Sequence, residues 1–237
     1  MHKIIKFTNT IGTEDIFPPE PASKSLPDWY KKLESYVGGE KMVRDSQSTA
    51  TIKRCMPVFD AISAGYIIRS QADIFITQKP NEDGIMIPFY EWPNLGMIEF
   101  HSVIQNPTHP LRKNMPELSA YPKWINPWAI STDPGYSCMF VQPFHRKSVF
   151  TILPGVVDTD KYISCVNFPF VLNDWSFEGL IPAGTPIAQV IPFKRDSFEM
   201  SLGGEAEKKQ VEKVATKVRT RFFDSYKLGF REEKSYR

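Results

Sequence analysis

Apolar and β-branched residues along this chain come in short runs, and those at 137–141, 149–157, 162–172 and 187–193 are separated by Pro-Gly, Asn-Asp and Ala-Gly pairs. Runs punctuated in this way predict successive short strands, and an antiparallel β unit is their simplest arrangement. Residues 66–68 and 73–78 predict two more strands, with Ile74 and Ile76 alternating against Phe75 and Thr77. KPNEDG then reads as a hairpin turn and IMIPFYEW as the returning strand. KIIKF, at 3–7, is a further short candidate.

Helical spacing is rarer. The segment around Pro27 predicts a helix capped by Ser25 or Asp28, with Trp29, Leu33 and Tyr36 on the face that docks on the sheet. A helical turn at 58–64 should end at Gly65, where a positive φ is commonly needed. The strongest helix is expected over 203–226: Val211, Val214, Ala215, Val218 and Phe222 make one apolar stripe, and Lys and Glu take the other face. That stripe is expected to pack on the β core or on a neighbouring subunit. Residues 93–124 hold too many prolines for a central strand or a long helix and predict a long surface excursion carrying His101, His109 and Arg112. The charged tail, 228–237, is expected to be loosely ordered.

Composition narrows the class. With 41% hydrophobic and 24% charged residues the chain has the balance of a globular protein, which disfavours disorder. No apolar run approaches the ~20 residues of a membrane helix, and the N-terminal stretch lacks the apolar core of a secretion signal, so a cytoplasmic protein is expected. Cys55, Cys138 and Cys165 are odd in number and widely spaced, which gives no disulfide framework and fits a reducing compartment. A net charge of +2 exerts no general pull toward nucleic acid. No linker divides the 237 residues. A single domain over 1–237 is therefore expected, with an N-terminal extension and helix at 1–50, a β core at 51–200 and a C-terminal helix at 203–226. P-loop, dinucleotide-binding glycine and nucleophile-elbow motifs do not occur, which leaves kinase-type and serine hydrolase chemistry unsupported.

Two pieces are chemically pointed. PGVVDTD puts Asp158 and Asp160 at the end of an apolar run, and IPAGTPIAQVIPF sets a turn before a strand with one embedded amide, Gln189. A carboxylate there can orient or deprotonate water, and the plainer reading is a pair of turn-forming aspartates. A cupin-type oxygenase would draw on His101, His109 and His145, but no His-x-Asp pair accompanies them. No metal-ligand spacing is found, and no metal site is assigned.

Three segments resemble the dUTPase and dCTP deaminase superfamily: SAGYIIRSQADIFI at 63–76, GVVDTDKY at 155–162 and IPAGTPIAQVIPF at 181–193. The resemblance implies a mainly β, β-clip-like distorted barrel, here with an N-terminal helix and a C-terminal amphipathic helix. It further implies a homo-oligomer, trimeric in that family, a nucleotide ligand and Mg²⁺ as cofactor. Carried over residue by residue, it makes Asp158 the catalytic carboxylate with Asp160 in support, and Tyr66, Ser137, Tyr162 and Gln189 ligand contacts. Lys161 displaces Tyr162 by one position, and in TDPGYSCMF no arginine precedes Ser137. A charged helix stands where the family has a glycine-rich arm. Over most of the chain, LPDWYKKL, DAISAGY, NPWAISTDPGYS, GVVDTD, NFPF and GTPIAQVIPFKR together resemble a phage and bacterial family of no assigned function. The expectation is a β protein that acts by binding, as a virion or accessory protein or as a small-ligand module, in the host cytoplasm or the virion. The alternative is a divergent metal-dependent nucleotide hydrolase or deaminase.

Overall fold

The computed structural model describes residues 3–12, 14–44, 47–93, 96–102, 120–221 and 223–237. The chain divides into two compact units, each assembled from separated segments: Met1–Ala22 with Gly65–Arg195, and Ser23–Ala64 with Asp196–Arg237.

The first unit is β throughout. Its strands of three or more residues are β1 (Ile5–Asn9), β2 (Tyr66–Arg69), β3 (Ile74–Pro80), β4 (Met86–Glu91), β5 (Ile98–His101), β6 (Tyr121–Trp124), β7 (Trp128–Thr132), β8 (Tyr136–Val141), β9 (Phe150–Ile152), β10 (Gly155–Val157), β11 (Phe168–Leu172), β12 (Gly179–Ile181) and β13 (Pro186–Lys194). They form four antiparallel sheets: β1-β7 with Ser164–Cys165; β10-β8-β13-β2 with Glu20–Pro21; β9-β11-β6-β5; and β12-β3-β4. The protein is thus mainly β, as the run-and-turn pattern predicts, and the described strands do not close into one barrel.

The turns follow from their residues. In the β3–β4 hairpin, Asn81 Oδ1 accepts from the Asp83 and Ile85 N–H groups, and Gly84 supplies the positive φ of 76°. Gly65 also sits at positive φ, and a Cβ there would lie 1.9 Å from the Val190 carbonyl oxygen, so the start of β2 lies against β13 as closely as only glycine permits.

The core of this unit is aromatic. Trp124 stacks on Phe170 at 5.0 Å and meets Phe150 at 5.2 Å, while Phe140 lies 5.7 Å from Phe168. All five rings are buried, each contributing about 1.5–3 kcal/mol relative to exposure. Their places correct one expectation: both ends of the segment expected as a surface excursion are strands, β5 and β6, and Tyr121 and Trp124 belong to the interior. Pro122 is accommodated in a strand of only four residues. His109 and Arg112 lie outside the described residues.

The second unit holds α1 (Asp28–Lys32), α2 (Met56–Ile62), α3 (Glu205–Arg219) and α4 (Ser225–Gly229). The helix at Pro27 is a single turn, with Pro27 as N-cap and no side-chain cap from Ser25 or Asp28. Tyr30 faces inward, its ring stacked on Phe59 and its hydroxyl donating to the Lys53 carbonyl at 3.1 Å. Trp29 is 41% exposed, which reverses the expected face. The long C-terminal helix ends at Arg219, and Val211, Val214 and Val218 are exposed in the single chain. Phe222 lies outside the described residues. The tail is tied down: Arg231 and Lys234 both reach the Asp60 carboxylate, at 2.7 and 2.9 Å.

Candidate functional site

Strand register decides which side chains meet. β8 faces β10 with Cys138 opposite Val157, and faces β13 with Tyr136 opposite Lys194. Ser137, Asp158 and Arg195 therefore arrive at one end of the same sheet, although Ser137 and Arg195 are 58 residues apart in sequence.

The turn after β10 sorts its own side chains. Thr159 is fully buried, with its hydroxyl 2.8 Å from that of Thr132 and 3.4 Å from Cys138 Sγ. The Asp158 carbonyl accepts the N–H groups of Lys161 and Tyr162, which closes the turn. Asp158 and Asp160, either side of Thr159, both meet Arg195.

Asp160 is fully engaged. Arg195 donates to its two oxygens at 2.6 and 2.5 Å, and the Gly135 N–H adds a third bond at 2.8 Å. A two-pronged guanidinium–carboxylate pair of this kind is strong and directional. Asp158 is looser: its side chain is 52% exposed, and Oδ1 accepts from Ser137 Oγ at 2.7 Å with Arg195 Nη1 at 3.2 Å. Its Oδ2 makes no hydrogen bond among the described residues. The Arg195 fork beside Asp160, helped by the Gly135 N–H, holds that carboxyl well below the usual carboxylate range. The Ser137 hydroxyl and then the Arg195 charge lower Asp158 too, while Asp160 raises Arg195.

A carboxylate whose proton affinity has been lowered is a weaker general base, and an arginine bound by two aspartates has little left to offer a phosphate. The cluster does not fit Mg²⁺ either. The guanidinium already bridges Asp158 and Asp160, and no group of three or more His, Cys, Asp or Glu able to hold a metal occurs among the described residues.

Of the other expected contacts, Tyr162 shares the turn and is 55% exposed. Tyr66 lies opposite Val190, its ring edge-on to Phe7 at 5.3 Å. Gln189 is buried and accepts the Phe144 N–H at 3.1 Å. Since Gln189 is four residues along β13 from Phe193, it lies roughly 13 Å up the sheet from the cluster. Ser137, Asp158, Asp160 and Tyr162 thus come together, and Tyr66 and Gln189 serve packing and backbone pairing elsewhere. His145 is exposed in a turn at φ 54°, and His101 ends β5. Arg195 is the residue that the pattern of the sequence did not single out.

A pocket of about 680 Å³ lies beside β4, an edge strand among the described residues. Ile87, Phe89, Tyr90, Trp92, Phe100 and Trp175 line most of it, and Glu82 and Asp83 of the hairpin turn join them. The Tyr90 ring meets Phe100 and Phe170 edge-on at 5.9 and 6.0 Å. The Tyr90 hydroxyl and the Trp175 indole N–H are buried without a hydrogen-bond partner among the described residues, and burial pushes the Tyr90 phenol far up. The hairpin is legible in the sequence but this wall is not, because Phe100 and Pro122 reach it from β5 and β6 and Trp175 from the segment between β11 and β12.

No family model and no curated protein matches the chain. Among solved structures it is similar to a mutant dUTPase from phage phi11 of S. aureus that coordinates a structural Mg(II) ion, with 11% identity and a TM-score of 0.38 over 86% of this chain and 99% of that one.

Proposed function

We propose that this chain works by binding: a β-clip type domain that takes a small, mostly apolar ligand into the pocket beside β4, acting as an accessory or virion protein and as a homo-oligomer. The pocket carries this reading. Its aromatic walls, its formation on strands and the few polar side chains among its lining residues, Asn81, Glu82 and Asp83, are what a small-molecule site requires, an apolar body with a few polar groups. The cluster points the same way, since Arg195 and Asp160 already satisfy one another and clip the Gly135 turn, the Asp160 turn and the end of β13 together.

The test is titration with the neutral dye N-phenylnaphthylamine, read by its fluorescence. Saturable binding at one dye per chain is expected, and Phe89→Ala, at a half-exposed position, should weaken it about tenfold without changing the melting temperature. Non-saturable or equal signals from both proteins would sink the proposal. The second reading, a nucleotide hydrolase, draws on the half-exposed Asp158 beside Ser137. Mg²⁺-dependent turnover of any deoxynucleoside triphosphate by the wild type, lost in Asp158→Asn with stability retained, would put that reading in its place.

A further inference from the structure

Between β13 and α3 the chain reads Asp196-Ser197-Phe198-Glu199-Met200-Ser201-Leu202-Gly203-Gly204. Polar and apolar residues alternate strictly from 197 to 202, the pattern of a strand with one covered face. No described residue covers it. Phe198, Met200 and Leu202 are 93%, 87% and 91% exposed, and the backbone of residues 197–203 makes no hydrogen bond among the described residues. Three large apolar side chains this exposed within five residues are a contiguous patch, which marks an interaction surface.

We propose that this segment pairs with the same segment of a second copy of the chain, antiparallel and centred on Met200. In that register Met200 faces Met200, Phe198 faces Leu202, Glu199 faces Ser201 and Ser197 faces Gly203. All the apolar side chains then fall on one face of a two-stranded ribbon, because directly opposed residues share a face. The charges favour this register over its parallel counterpart, where Glu199 would stand against Glu199 and like charges directly opposite destabilise. A bare two-stranded ribbon is marginal in water, so its apolar face needs a cover. Val211, Val214 and Val218 of the two α3 helices, exposed in the single chain, supply it once Gly203 and Gly204 let each helix fold across. The contact is isologous and closes at two copies, the commonest form of self-association.

Light scattering on the full chain should give a mass near twice 27.2 kDa, and Phe198→Ser with Leu202→Ser should return it to the single-chain mass with unchanged far-ultraviolet circular dichroism. A cysteine pair tests the register. In a background with Cys55→Ser and Cys165→Ser, Met200→Cys places two thiols on directly opposed residues about 4.5–5.5 Å apart at Cα, within disulfide reach. Ser197→Cys places them roughly 20 Å apart. Mild oxidation should therefore give a covalent dimer with Met200→Cys and none with Ser197→Cys. A strict monomer, or an assembly of any size in which Met200→Cys cross-links no more than Ser197→Cys, would overturn the inference.

Discussion

Asp160 and Arg195 make a prediction about acid stability whose direction follows from the hydrogen bonds. The Arg195 fork and the Gly135 N–H hold the Asp160 carboxyl below its ordinary value. The pair therefore stabilises the fold fully above the unfolded carboxylate pKa of about 3.9, and that contribution is lost as pH falls through the depressed folded value. Urea midpoints of wild type and Asp160→Asn should differ by a constant amount between about pH 7 and pH 5 and converge below about pH 4. A gap that widens on acidification would show that the ion pair does not stabilise the fold. At this scale the sequence was half legible. An Asp-x-Asp after an apolar run announces a pair of carboxylates, but nothing local ties Arg195 to a partner 35 residues away; only the register of β13 against β8 does. The helix at Pro27 misled for a related reason. One turn is too short for spacing to choose between adjacent aromatics, so Tyr30 and not Trp29 took the inner face.

Among the elements, strands bounded by turn residues were read nearly in place, since Gly65 and the Asn81 turn punctuate the chain locally, whereas the run expected over 149–157 breaks at Pro154-Gly155 into β9 and β10. β5 and β6 were missed because proline density is a local argument and burial is not. Once β6 lies between β5 and β11, Trp124 is covered from both sides whatever Pro122 prefers. Trp124→Ala should accordingly cost about 3–5 kcal/mol of unfolding free energy, the range for deleting a large buried aromatic. A cost below about 1 kcal/mol, measured by denaturant titration, would remove Trp124 from the core and restore the surface reading of that segment. The stripe on α3 was legible as a stripe. Its periodicity says that a face wants covering, and not by what.

For the molecule as a whole, the units interleave along the chain, and the β unit joins its most distant segments: Ile5 pairs with Thr132, and Tyr66 with Val190. Topologies built from such non-local pairs fold slowly, because loop closure must precede the contacts that reward it. The position of β13 sharpens this. Among the described residues it is the last strand made, yet it sits inside its sheet, between β8 and β2. On the ribosome, then, the two halves of that sheet wait with bare inner edges until residues 186–194 emerge, and an unpaired edge recruits whatever strand is nearest, including one on the next polysome-bound chain. A chain that stops before residue 186 keeps two sticky edges and no means of closing them, which makes the arrival of β13 itself the step that ends the hazard of aggregation.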